Sequence, residues 1–301
     1  MKKTTTLFFG SLLVAGTLLG QVEDTTNVKP WSKGATLGFQ FTQTAFYQWV
    51  AGGQNSYAYA GLVDLYANYK KNSVNWKNSL VMNYGMIKQG SNPLIKSDDR
   101  YEFNSILGIK ADDNWNYAAQ YNFRTQFTPG YAIDAVSRTR ISDFLAPAYS
   151  TFSIGMEYQP KDGFSLLISP ITSKFTIVGA PSLSALGAFG VEPGKAYRSE
   201  FGGLIRVAWK QELIKNVDIN TNLTLFSNYA ENAQNIDVNW DMMLVFRVND
   251  YLNFNLTTVL IYDDDIAVPK DRDDDGVYEG TGKGIQFKEI FALGLIYSIK
   301  K

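Results

Sequence analysis

The amino-acid sequence predicts an all-β protein: a transmembrane up-and-down antiparallel β-barrel of about twelve strands, with short periplasmic turns and long outer loops. Three observations predict this fold. Apolar and polar residues alternate along most of the chain. The connections between these alternating segments are short and long in turn. After the N-terminal region, no segment has the roughly 18 consecutive apolar residues of a transmembrane helix.

The N-terminal residues have the order of a secretory signal peptide. Lys2 and Lys3 form a short basic region, and an apolar run follows over 7–19. This run is shorter than the about 20 residues that a transmembrane helix needs. We therefore expect a signal peptide over 1–20, a short periplasmic N-terminal segment over 21–33 and the outer-membrane β-barrel over 34–301.

Alternation with a period of two defines the strands. Between positions 236 and 248, one face carries Val238 and Trp240, and the other carries Asn239 and Asp241. Because successive side chains of a strand point to opposite sides, each such segment has one apolar and one polar face. Pro170 interrupts the seventh segment and indicates a bulge or a break there. The predicted strands are 34–48, 56–70, 73–87, 99–111, 114–127, 149–159, 163–178, 196–210, 216–229, 236–248, 251–262 and 284–299.

The connections complete the pattern of a barrel. Tight polar turns such as Lys71-Asn72 and Lys215-Asn216 alternate with longer connections, the longest being 128–148. An even number of strands joined in this way places both termini at the short-turn end. The 128–148 loop keeps apolar residues, so we expect it to be ordered and either to constrict the lumen or to meet a partner protein.

Charged residues lie on the polar faces of the strands. A soluble β-sandwich also alternates, but unpaired charge inside its core would be very costly. The charges therefore favour a wet lumen, with outer-membrane lipid around the apolar faces and aromatic residues near both ends of the strands. This predicts a protein of the outer membrane of a Gram-negative bacterium. The predicted lumen residues are Asp64, Lys77, Glu102, Arg124, Glu157, Arg198, Glu200, Arg206, Asp237, Asp241 and Arg247.

The composition excludes several kinds of chemistry. The chain has no cysteine and no histidine, so disulfides, thiolate nucleophiles, Cys or His zinc sites and histidine-based catalytic triads are absent. The net charge of −1 also argues against nucleic acid as a partner. We expect no catalytic residues and no cofactor other than calcium.

Several short strings resemble a known family in their order along the chain. They are WVAGGQN at 49–55, NYK at 68–70, WKN at 76–78, YG at 84–85, SP at 169–170, GAFGV at 187–191 and QFKE at 286–289. Together they resemble a domain-of-unknown-function family of outer-membrane barrels from Bacteroidota. The resemblance implies the fold and the location, and it brings no activity and no catalytic residues.

One loop carries a partial calcium motif. Asp271, Asp273, Asp275 and Gly276 match the first, third, fifth and sixth positions of a calcium loop, and Glu279 matches the ninth. The bidentate glutamate expected at the twelfth position is replaced by glycine. The motif predicts a weak calcium site, and the alternative is a solvated acidic loop.

Three classes of function remain open after these exclusions. The first is a non-enzymatic envelope component that works with partner proteins in an envelope complex. The second is a passive, porin-like channel for small solutes with a narrow lumen of mixed charge. The third, an outer-membrane enzyme that does not use histidine, is disfavoured because the usual general base is missing.

The missing histidine generates a prediction about pH. None of the predicted lumen residues has an ordinary pKa between about 6 and 8. We expect any conductance through the barrel to change little over this range, measured in planar bilayers. A steep titration there would contradict the expectation and would show that a neighbour strongly shifts a carboxylate or a lysine.

Overall fold

The computed structural model describes residues 29–48, 50–133, 138–270 and 280–300, and the predicted signal peptide lies outside them. Twelve strands close into one antiparallel barrel, and each pairs with its neighbours in chain order. Within the described part of the chain, no helix has both the length and the apolar character needed to cross a membrane. The barrel strands are β1 (Trp31–Thr44), β2 (Ser56–Lys71), β3 (Val74–Gln89), β4 (Ile95–Lys110), β5 (Trp115–Thr125), β8 (Ala148–Tyr158), β9 (Phe164–Ile177), β10 (Tyr197–Ile214), β11 (Val217–Asn228), β12 (Asp237–Arg247), β13 (Leu252–Tyr262) and β16 (Ile285–Lys300).

Smaller elements lie in the long connections. The hairpin β6 (Gly130–Ile133) with β7 (Arg138–Ser142) follows β5, and the hairpin β14 (Val268–Lys270) with β15 (Gly280–Gly282) follows β13. The connection between β9 and β10 contains the short helix α1 (Pro181–Ala185) and a 3-10 turn at Ala188–Gly190. The predicted all-β barrel of twelve strands is confirmed, and these smaller elements are additions to it.

Two strands begin earlier than predicted, one because of side-chain packing and one because of a bulge. β1 begins at Trp31 rather than at position 34, because the Trp31 ring packs against Tyr69 and Trp76, with ring centroids 5.2 and 5.9 Å apart. β4 begins at Ile95 rather than at position 99, since a register shift between Gly85 and Met86 lets the pairing with β3 continue.

The outward face of the barrel is apolar and uncovered. Leu37, Phe39 and Phe41 alternate along β1, and each exposes more than two fifths of its surface. The outward residues of the neighbouring β16, such as Leu293 and Leu295, are equally exposed. A continuous apolar surface of this size is typical of a lipid-facing barrel wall.

Aromatic pairs lie at both ends of this apolar surface. Trp115 packs against Tyr158 beside a short turn, with ring centroids 5.0 Å apart. Phe201 packs against Tyr229 near the long loops, with centroids 6.0 Å apart. Two aromatic girdles that bound an apolar band are a feature of membrane barrels.

The short turns use residues that tolerate a left-handed backbone. Asn72 and Asn216 have φ of 53° and 67°, a conformation that asparagine adopts more readily than most residues. Gly163 has φ of 84°, and a Cβ there would lie 2.3 Å from the Lys210 carbonyl oxygen. The predicted turns at Lys71-Asn72 and Lys215-Asn216 are therefore explained by their asparagines.

A small apolar cluster lies in the long connections at the outer end of the barrel. We call it the outer cap, and it consists of Ala146, Val178, Ala180, Leu183 and Val191, all buried, with Ala188 and Phe189 packed against them. Ile141 and Phe189 line the space inside the barrel beneath it. The 128–148 connection therefore supplies part of the outer cap and part of the lumen wall, as expected for an ordered loop that narrows the lumen.

An added charge is expected to lower the stability of the barrel by different amounts on the two faces of β1. Replacing outward Phe39 with Arg places a cation on the apolar band, which costs about 2 to 4 kcal/mol near the middle of a bilayer. Replacing Gln40, which lines the lumen, with Arg is expected to cost much less. Urea unfolding in phospholipid vesicles measures both, and equal losses would contradict the assignment of the two faces.

Candidate functional site

The barrel encloses a cavity of about 1140 Å³, which we call the lumen. Its wall extends from Asn68 and Lys77 near the short turns to Asp98 and Phe189 near the outer cap. Pockets for small molecules usually enclose about 300 to 1,000 Å³, so the lumen has room for a ligand together with water.

Most of the predicted lumen residues line this cavity. They are Asp64, Lys77, Glu102, Arg124, Arg206, Asp237 and Asp241. The remaining ones lie at its edges. Glu157 is buried beside Lys77, Arg198 and Glu200 lie at the outer end, and Arg247 lies half-exposed at the short-turn rim.

Arg100 joins opposite walls of the barrel. Arg100 lies on β4 and Asp241 on β12, which are six strands apart in either direction. The Arg100 guanidinium donates from Nη1 to Asp241 Oδ1 at 2.8 Å and from Nε to Glu102 Oε2 at 2.7 Å. Asn122 donates a further hydrogen bond to Glu102 at 2.9 Å. This cluster spans the lumen, and we call it the cross-barrel tie.

Two other arginines of the lumen donate hydrogen bonds to amide oxygens. Arg206 donates to Asn104 at 3.3 Å and to Asn222 at 3.1 Å. Arg124 lies over the Tyr149 ring at 5.3 Å and, with the Asn239 amide oxygen turned toward it, donates to that oxygen at 2.7 and 2.9 Å. Within the described part of the chain, neither guanidinium has a carboxylate within 4.0 Å.

Ion pairs near the short-turn end bridge nearby strands. Lys77 on β3 donates to Glu157 on β8 at 2.9 Å and to Gln159 at 2.8 Å. Ser165 also donates to Glu157, whose side chain is only 1% exposed. Because burying an unpaired carboxylate is costly, this pairing explains how Glu157 is accommodated inside the wall.

Acidic residues surround a lysine near the outer end. Lys174 lies 2.6 Å from Asp237, 3.5 Å from Glu200 and 3.6 Å from Asp263. Arg198 extends this group through Glu200 at 2.9 Å and Asp265 at 2.8 Å. The charges of both signs at this level of the barrel are therefore largely paired with one another.

One ion pair lies in the outer loops. The hydrogen bond that Lys283 donates to Asp264 at 2.6 Å lowers the pKa of the Asp264 carboxyl and raises the pKa of Lys283. Its contribution to stability is complete between the ordinary pKa values of Asp and Lys, about 4 and 10. It is lost as the pH falls through the lowered pKa of Asp264 or rises through the raised pKa of Lys283.

The sequence did not reveal several charged groups of the lumen. Arg100, Asp98 and Asp99 all line the cavity, although the strand was expected to begin only at position 99. The bulge lies at Ser97, before all three residues, so alternation with Glu102 places Arg100 and Asp98 on the inward face. Asp99 accepts hydrogen bonds from Lys96 and from the backbone N–H groups of Phe127 and Thr128. The sequence thus carried a signal for Arg100 and Asp98, whereas the contacts of Asp99 depend on the following connection.

Pro170 marks a second bulge. The register of β9 shifts beside it against both β8 and β10, and Ser169 and Thr172 both lie buried on the inner side. The bulge expected from this proline is confirmed. It also explains why Lys174, which the sequence did not single out, points into the lumen: the alternation changes phase at the bulge.

The candidate calcium residues Asp271, Asp273, Asp275 and Glu279 lie outside the described residues. Among the described ones, no group of three or more acidic side chains is arranged to hold a metal ion. The calcium site therefore stays a prediction.

One family model matches part of the chain. Residues 41–131 match the family described as Protein of unknown function (DUF3078). The resemblance expected from the sequence is confirmed over this stretch, and the Bacteroidota origin stays a prediction. No curated protein matches the chain.

Solved structures similar to the chain are outer-membrane proteins of low identity. An outer membrane channel from Pseudomonas putida F1 is 9% identical over 93% of this chain and 99% of that one, with a TM-score of 0.41. The translocator domain of the autotransporter NalP from Neisseria meningitidis is 8% identical over 91% and 90%, with a TM-score of 0.32. The Pseudomonas putida toluene transporter TodX is 7% identical over 92% and 90%, with a TM-score of 0.27.

The cross-barrel tie predicts a measurable coupling. In a double-mutant cycle of Arg100→Gln and Asp241→Asn, we expect a coupling free energy of about 1 to 3 kcal/mol, since both side chains are about three quarters buried. The matched control is Arg247 with Glu212, an exposed rim pair expected to couple by less than about 1 kcal/mol. Urea unfolding in vesicles measures both cycles, and equal couplings would contradict the tie.

Proposed function

We propose that the protein is an outer-membrane barrel whose lumen binds and passes a small solute and is closed at rest by its own paired charges. The exposed apolar belt between two aromatic girdles supports the location in the outer membrane of a Gram-negative bacterium. A lipid-spanning sheet must also close to satisfy its backbone, and this barrel is closed.

The cross-barrel tie carries this proposal. A wide passive pore keeps its centre free, whereas here Arg100 joins walls six strands apart at hydrogen-bonding distance. A solute that crosses the barrel has to displace this contact. A closed state favoured by a few kcal/mol leaves an open state populated at about 0.1 to 10%, which is enough for slow transport.

The cavity supports binding as well as passage. It is lined by amides, hydroxyls and charged groups together with apolar side chains, and most of its charged groups have a partner of opposite charge. Mixed walls of this kind are typical of sites that select a ligand by shape and polarity. Strong discrimination between simple anions and cations is not expected from such a lumen.

A partner-dependent envelope component is the second candidate. It is favoured by the apolar residues exposed around the outer cap, where Phe144 is 56% and Leu186 is 77% exposed. Exposed apolar side chains at a rim are frequent in protein interfaces. Purification from outer membranes tests it, because recovery of the barrel without any stoichiometric partner would contradict this role.

Single-channel recording tests the proposed channel. The wild-type protein in planar bilayers is expected to show rare, brief openings, and Asp241→Ala is expected to open more often because one anchor of the tie is lost. Asp218→Ala, at the short-turn rim beside Arg247, is the matched control and is expected to behave as the wild type. Steady open pores in the wild type, or no difference between the two variants, would contradict the proposal.

A further inference from the structure

The lumen wall is divided into an apolar and a charged part. Five half-buried side chains form what we call the apolar wall: Leu62, Val81, Val259, Ile261 and Ile290. They lie on β2, β3, β13 and β16, the strands on either side of β1. Another apolar group, around Leu204 and Phe226, is buried, and Lys174 lies over the Phe226 ring at 5.0 Å. The apolar wall is only half-buried and therefore offers more of its surface to a ligand.

The two arginines without carboxylate partners lie away from this wall. Arg206 is on β10 and Arg124 on β5, which flank the side of the barrel opposite β1 and β16. Their described partners are amide oxygens of asparagine and the face of Tyr149. Guanidinium groups bind carboxylates through two parallel hydrogen bonds, and an amide oxygen is a weaker partner.

The seam between β1 and β16 is open toward the outer end. Pairing of these strands extends from Gly34 opposite Lys300 to Phe41 opposite Leu293. Beyond it, residues 285–292 of β16 pair with β13 alone, and residues 42–44 of β1 pair with β2 alone, among the described residues. Fewer backbone pairs join β1 to β16 than join the other neighbouring strands, so we take this stretch as the place where the wall separates at the smallest loss of hydrogen bonds.

Inward side chains beside this unpaired stretch of β1 and β16 are exposed. Thr42 and Thr44 on β1 belong to the lumen face, yet they are exposed. On β16, Gln286 is exposed and Lys288 is 43% exposed, although both point inward and the Lys288 ammonium lies 2.8 Å from Asp98 on β4. The inward side chains beside this unpaired stretch are therefore within reach of a ligand in the lumen.

The unpaired stretch of the β1–β16 seam faces the outer part of the membrane. On the outer surface of β16, Phe287 and Phe291 are about 60% exposed and flank Glu289, which is also exposed. A carboxylate between two aromatic residues is tolerated near the membrane interface and is unfavourable at the midplane. The outer cap belongs to the connections after β5 and β9, on the side of the barrel opposite this seam.

We propose that the lumen binds an anionic amphiphile, which moves between the cavity and the outer leaflet through the β1–β16 seam. Its carboxylate pairs with Arg124 and Arg206, and its hydrocarbon body lies along the apolar wall. This inference rests on the proposed function and deepens it, since it names the class of solute and its path.

Binding is tested with 11-(dansylamino)undecanoate, a fluorescent carboxylate amphiphile, and the full-length barrel in lipid nanodiscs. We expect saturable fluorescence enhancement that dodecanoate competes away and dodecyltrimethylammonium does not. The Arg124→Gln/Arg206→Gln double variant is expected to bind at least about tenfold more weakly, while Arg247→Gln at the rim binds as the wild type. Unsaturable binding, or equal binding by both variants, would overturn the ligand assignment.

The path is tested by closing the seam covalently. The chain has no cysteine, so Thr42→Cys with Ala292→Cys introduces the only thiols, one register step beyond the last pair of the seam. They are joined by oxidation or by a short bis-maleimide. The control is Thr36→Cys with Ser298→Cys, in the part already paired, where the two hydroxyl oxygens are 3.2 Å apart.

Release of the bound probe to acceptor vesicles distinguishes the outcomes. Closing the seam at 42 and 292 is expected to slow release by about tenfold or more without weakening binding, and the control pair is expected to have no effect. Unchanged release from the closed seam, with binding intact, would overturn the path and leave the proposed channel standing. Failure of the channel itself is seen separately, in the conductance of the wild type.

Discussion

Charge that points into a β-barrel has to be neutralised inside it, and this constraint organises the lumen. An alternating strand in lipid turns its apolar face outward and its polar face inward, so charged residues from all sides meet in one enclosed space. Desolvated charges without partners are very costly. The protein meets this constraint by pairing across the barrel, with Arg100 and Asp241 at the centre and Lys77 with Glu157 toward the short turns.

The same constraint gives the lumen its two parts. On the side of β4 to β12, many inward side chains are charged or amides, and ion pairs and amide hydrogen bonds join them. The strands around β1 carry few charges at mid-height, so their inner face is apolar, and their seam is paired over a shorter stretch. Closure of the sheet and neutralisation of charge are thus satisfied by different sides of the barrel. This leaves the β1–β16 side as the one that can open at the smallest loss of interactions.

Local patterns in the sequence predicted the architecture but only part of the site. Alternation is a property of each strand alone, so all twelve barrel strands and their short turns could be predicted, as could the bulge at Pro170. The pairing of Arg100 with Asp241 depends on which strands face each other after closure, and residues 141 positions apart carry no local sign of it. Lys174 was missed because the bulge at Pro170 changes the phase of the alternation, and Asp98 because the strand was expected to begin only at position 99. The outer cap depends on contacts between two separate loops, such as Ala146 with Leu183.

The central claim, that the lumen is closed at its centre by a cross-barrel ion pair, is most directly tested by solid-state NMR in lipid bilayers. With the Arg100 guanidinium nitrogens and the Asp241 carboxyl carbon selectively labelled, the nitrogen–carbon dipolar coupling reports their separation. We predict a coupling that matches the 2.8 Å contact between Nη1 and Oδ1. A vanishing coupling in the intact wild-type barrel would show that the opposite walls do not touch and would contradict the account.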